Sequence, residues 1–134
     1  MPRTIDAFSN NDAFDFVEAI ANGPSWDAAH DAFAGALKFP DELEYSETAY
    51  VIAAAAMIAY RKNGSPPVPG QLAALVDSLG DVPADLVEEA GRALPIARAG
   101  QIKFVEQWLS PEEAANWNVY LDEIARGIRP KDTV

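Results

Sequence analysis

The sequence predicts an all-α protein, a single compact bundle of about six to seven helices around a central alanine-rich helix. The first observation is the run AYVIAAAAMIAY at 49–60, twelve residues without a charge. Alanine loses least on helix formation and is depleted in sheets, so its four consecutive alanines point to helix. Apolar residues fall on every side of that helix, which therefore needs cover on most faces. The second observation is that most flanking segments carry an apolar stripe at helical spacing, often bounded by capping residues. The third is that no segment alternates as a half-buried strand does, and no internal repeat occurs.

Taken in order, residues 1–8 read as extended, with Phe8 anchoring their end. A first helix is expected from Ser9 or Asn10, where Ser9-x-x-Asp12 has the spacing of a capping box. Ser9, Asn10, Asn11, Asp12 and Asp15 form its polar capping motif. Phe8 and Ala13 stand at the staple positions, and Phe14, Val17 and Ala21, widened by Phe16 and Ile20, form its apolar stripe. Gly23-Pro24 ends this helix, with Gly23 expected to be left-handed. A second helix runs from Ser25 toward Leu37 on Trp26, Ala29, Phe33 and Leu37, and Phe39-Pro40 stops it.

The central helix spans roughly 47–62, with Glu47 at its start and Arg61-Lys62 at its end suiting the helix dipole. The loop 64–70 holds three prolines and two glycines. A fourth helix covers 71–79 on Leu72, Leu75, Val76 and Leu79, and Gly80 caps it. A fifth opens near Pro83 on Leu86, Val87, Ala90 and Leu94, and Pro95 is expected to break or kink it. A short helix at 101–109 carries Ile102, Val105, Trp108 and Leu109. The last helix has the clearest start: Ser110-Pro111-Glu112-Glu113 combines an N-cap, a first-turn proline and a capping-box glutamate. Its stripe is Ala114, Trp117, Leu121, Ile124 and Ile128, Gly127 and Pro130 end it, and 129–134 is expected to be a disordered tail.

The 134 residues suit one domain whose core needs no staples. The absence of cysteine removes disulfides and thiolate metal sites. The N-terminus lacks a signal or transit pattern, and the uncharged run falls short of the roughly 20 residues a membrane span needs. A cytoplasmic location away from membranes is expected. The net charge is −11, of which −8 falls in residues 1–47 and −3 in the remainder. Phosphates would be repelled, so nucleic acid is not an expected partner, whereas a basic protein surface would be steered toward the first third.

Several residues are candidates for a site. His30 is the only histidine. One histidine without cysteine does not make a typical zinc site, and no nucleophile is marked beside it, so a structural or surface role is expected. The oxygens of Asn10, Asn11, Asp12 and Asp15 suit a hard cation in kind, but the EF-hand spacing is absent and helix capping is the ordinary use of such residues. Asp41, Glu42, Glu44 and Glu47 form an acidic cluster that, with Asp27 and Asp31, is the candidate partner-binding set. No residue is expected to be catalytic or to ligate a metal, and no cofactor is implied. Trp26, Trp108 and Trp117 stand among aliphatic neighbours at helical spacing and are expected in the core.

The stretch Phe8-Ser9-Asn10-Asn11-Asp12-Ala13-Phe14-Asp15-Phe16 resembles the N-terminal signature of a bacterial family known as domain of unknown function 4259. That signature reads W-G-x-G-x-F-x-N-D-x-A-x-D-F. Phe8, Asn10, Ala13, Asp15 and Phe16 match it, and the resemblance extends through the alanine-rich part at 47–59 and the segment from Val105 to Leu121. The leading W-G-x-G is missing, replaced by Arg3-Thr4-Ile5-Asp6, and Asn11 stands where the family has aspartate. The resemblance implies no established activity.

Three functions stay open on the sequence. One is an interaction module that binds a basic partner through its acidic first third, of the immunity or antitoxin type. The second is a small enzyme or divalent-metal-binding protein using Asp12, Asp15, His30 and Glu47. The third is a structural or assembly subunit, which the alanine-rich helix suggests. The oligomeric state is not set by the sequence.

Overall fold

The computed structural model describes residues 11–23, 25–64, 68, 70–100 and 110–128. Six helices occur among them: α1 (Asn11–Asn22), α2 (Asp27–Lys38), α3 (Tyr45–Asn63), α4 (Gly70–Ser78), α5 (Ala84–Gly100) and α6 (Pro111–Ile128). The expected all-α bundle around the alanine-rich helix is the observed architecture. Ser9, Asn10, the Phe8 anchor, the helix at 101–109 with Trp108, and the tail at 129–134 lie outside the described residues.

Helix α3 is the axis. Every residue from Val51 to Ala59 is at most 1% exposed. Its neighbours α5 and α6 pack on it most extensively, followed by α2 and then α1. Four alanines let these backbones come close on all sides, and Ile52, Met57 and Ile58 fill the space between. The partners present matching stripes: Phe33 and Ala36 from α2, Ala90, Ala93 and Ala97 from α5, Leu121 and Ile124 from α6. Phe16 of α1 stacks on Tyr50 with ring centroids 5.7 Å apart. Trp26 and Trp117 are buried, as their spacing predicts.

The helix ends are held by polar contacts. At the start of α6, the Ser110 N–H donates to Glu113 Oε1 at 3.0 Å, and the Glu113 N–H donates to Ser110 Oγ at 3.1 Å. Both halves of the expected capping box are therefore present. Gly64 closes α3 at φ +74 with its N–H on the Tyr60 carbonyl. Gly80, after α4, also has positive φ (+80), which glycine adopts without steric cost. Its carbonyl accepts two long-range bonds, from the buried Trp26 indole at 3.3 Å and from Arg61 Nε at 3.1 Å. Arg61 also reaches Asp81 at 2.9 Å. These contacts tie the start of α2, the end of α3 and the α4–α5 connection at one point. Across the molecule, a Cβ on Gly100 would lie 3.0 Å from the Thr48 methyl, so the end of α5 meets the start of α3 closely.

Four expectations are corrected. Of the two outcomes expected at Pro95, the break does not occur, and α5 runs on to Gly100. Interior proline costs about 3 kcal/mol, but Ala93, Leu94 and Ala97 are buried on either side of it, and their packing holds the helix together. Gly23 has no positive φ. Its N–H instead closes a tight turn onto the Ile20 carbonyl at 3.1 Å, and the following proline favours extended backbone at this position. Gly127 lies within α6, buried, and its carbonyl accepts the Asn63 side-chain amide. Helix α3 begins at Tyr45, two residues earlier than expected, because Glu44 serves as its N-cap.

Replacing Ala55, which is 0% exposed, by leucine is expected to lower stability by about 1–3 kcal/mol through overpacking, measured by urea denaturation. An unchanged denaturation midpoint would contradict the close approach of helices on α3.

Candidate functional site

The six acids of the candidate set are all exposed. Their positions follow from the local fold. Asp27 and Asp31 occupy one face of the first turns of α2, because residues four apart lie above one another on a helix. Asp41 and Glu42 lie in the turn after α2, where the Glu42 N–H closes onto the Phe39 carbonyl at 3.2 Å. Glu44 and Glu47 bracket the start of α3, and the Glu44 N–H donates to Glu47 Oε1 at 3.0 Å. Glu47 therefore caps a helix as well as contributing charge.

The structure divides these acids into two groups. Helix α2 has 12 residues, a length of about 18 Å, and Asp27 and Asp41 lie at opposite ends of it. The second group, around the α2–α3 connection, is the denser. It also holds a residue that the sequence marks only as the end of α2. Phe39 is 51% exposed, one of the two large apolar side chains that face solvent among the described residues. It falls off the Trp26–Ala29–Phe33–Leu37 stripe, a signal already visible in the sequence. Lys38 Nζ sits 5.4 Å from its ring centroid, within the range of a cation–π contact. Leu43, by contrast, packs against the core and anchors the connection from inside.

Around the first group, His30 pairs with Glu89 of α5, Nδ1 to Oε1 at 2.7 Å. The hydrogen bond to Glu89 and then its charge hold the histidine above its ordinary value of 6.5, with smaller help from Asp31 and Asp27. Glu89 was not singled out from the sequence, since the pairing joins residues 59 apart. The arrangement is a hydrogen-bonded pair joining two helices, ionic when His30 is protonated, with no nucleophile beside it among the described residues. Among the described residues no three His, Cys, Asp or Glu side chains converge to hold a metal ion. Asp15 is exposed on α1, whereas the side chains of Asn11 and Asp12 lie outside the description. Phe16, which carries part of the family resemblance, is buried against Tyr50. No helix among the described residues is long and apolar enough to cross a membrane.

Fold and surface together define an acidic α-helical protein whose carboxylates face solvent on its first helices and connections. The chain belongs to the family described as Domain of unknown function (DUF4259), whose profile matches residues 4–119. That match includes the segment 8–16 on which the resemblance rests. No curated protein and no solved structure matches the chain.

Because His30 is raised in the folded state, its pairing contributes stability that is fully present below pH 6.5, the ordinary value. That contribution is lost as pH rises through the higher folded value. An NMR titration of the His30 ring should place its midpoint above 6.5, and Glu89→Gln should return it toward 6.5. An identical midpoint in the variant would remove Glu89 as the cause.

Proposed function

We propose that this protein is an interaction module that binds a basic protein partner through the α2–α3 connection, in the manner of an immunity or antitoxin protein. The observation that carries the reading is the exposed Phe39 beside the exposed carboxylates of Asp41, Glu42 and Glu44. Exposed aromatics serve as binding anchors, and surrounding charges set approach rate and orientation more than raw affinity. The ring already accepts the Lys38 ammonium over its face, so a partner's arginine or lysine can take the same position. The net charge of −11 steers a basic surface toward the molecule from a distance. Asp27 and Asp31 lie nearer the other end of α2 and enter as a steering field.

The test begins with affinity capture at low salt, followed by titration of the purified, identified partner. Phe39→Ala should weaken binding by about 2 kcal/mol if it is an anchor. Asp41→Lys with Glu42→Lys should slow association and flatten its salt dependence. Binding that is indifferent both to salt and to these substitutions would sink the reading.

A further inference from the structure

A groove of about 980 Å³ lies at the opposite end of α3 from the α2–α3 connection, between the end of α3, the start and middle of α5, and the end of α6. Its volume is at the upper end of the roughly 300–1,000 Å³ of small-molecule sites. Val82, Val87 and Leu94 give it an apolar lining, and Glu88, Gly91 and Pro95 bring polar backbone and charge. The last three follow helical spacing and form one face of α5.

That face presents acceptors. Pro95 has no N–H, so it cannot supply the helical bond that the Gly91 carbonyl would otherwise receive from the residue four places on. Gly91 has no side chain to cover the position, and a Cβ placed there would meet nothing within 4 Å. Glu88 is exposed and has no ion-pair partner among the described residues. The cations nearby are differently placed. Arg61 already donates to the Gly80 carbonyl and to Asp81. Lys62 reaches the groove from the last turn of α3, on a long stem whose strongly hydrated ammonium can turn to water. The C-terminal end of α3 and the net charge of −11 both favour a cation in this cleft.

We infer that this groove binds a small amphipathic amine, its apolar body on Val82, Val87 and Leu94 and its ammonium on the Glu88 carboxylate and the Gly91 carbonyl. The site is separate from the α2–α3 connection and does not depend on the proposed partner. It also gives a reason for a proline inside a helix that packing must hold together: Pro95 leaves the Gly91 carbonyl without its helical N–H partner.

Three probes of one shape test the inference on the full chain: phenethylamine, the neutral 2-phenylethanol and the anion 3-phenylpropionate, each titrated by amide NMR. Phenethylamine should bind about tenfold more tightly than the anion, with its shifts centred on Val87 to Leu94. Glu88→Gln should reduce its affinity by about tenfold. Pro95→Ala supplies the missing N–H, so it should raise the melting temperature while weakening amine binding by about fivefold. Glu18→Gln, exposed on α1 and outside the groove lining, should change neither. Equal or tighter binding of the anion would overturn the inference and make Lys62 the recognition group. No binding of any probe, shifts spread over the acidic surface, or undiminished amine affinity in Pro95→Ala would also overturn it.

Discussion

The burial of α3 on all sides is the constraint from which the rest of the architecture follows. A helix without a polar face cannot lie on a surface, so it must be surrounded. Surrounding it takes several helices, and each needs an apolar stripe of its own. Alanine at positions 53–56 sets how closely they can approach. Close approach in turn places small residues on the neighbours: Ala36 on α2 and Ala90, Ala93 and Ala97 on α5 are all buried. Gly100 extends the same logic to the end of α5, where even a methyl group would crowd Thr48.

An axis this apolar offers little to fix how far each neighbour slides along it, because dispersion contacts are individually weak and non-directional. Directional contacts at its two ends supply that information. At one end, the Gly80 carbonyl accepts from Trp26 and Arg61, and Asn63 donates to the Gly127 carbonyl. At the other, Glu47 caps α3 through the Glu44 N–H, and Thr48 abuts Gly100. Trp26 belongs to both systems. Its ring enters the core, and its indole N–H reaches a carbonyl 54 residues away.

This division explains what was legible in the sequence. Local chemistry could be read: the Ser110–Glu113 box, the Gly64 and Gly80 ends, and the buried stripes of α2 and α6 all follow from residues a few positions apart. The survival of α5 through Pro95 could not, because proline's cost is local while the packing of Ala93, Leu94 and Ala97 that offsets it is tertiary. The Glu44 cap was obscured because glutamate is an unusual N-cap. The surface was legible only as composition. The acids were identifiable residue by residue, but their division between the two ends of α2 depends on where that helix starts and stops. The pairing of His30 with Glu89 requires two helices to be docked first.

The same logic places the protein's charge where a partner or ligand can meet it. With α3 fully enclosed, the core has almost no room for ionised groups, and the buried Glu113 completes a helix cap. Carboxylates are therefore confined to the outer faces of helices and to connections. On the α2–α3 connection they flank Phe39, whose ring falls off the buried stripe because the helix ends just before it. On α5 the inner face follows Ala90, Ala93 and Ala97 toward the axis, which leaves Glu88, Gly91 and Pro95 on the face toward the groove. Both candidate sites thus arise from residues that the packing of α3 excludes. Their chemistry differs because one is built from side chains on a short connection, and the other from a helix whose own backbone bonding is interrupted.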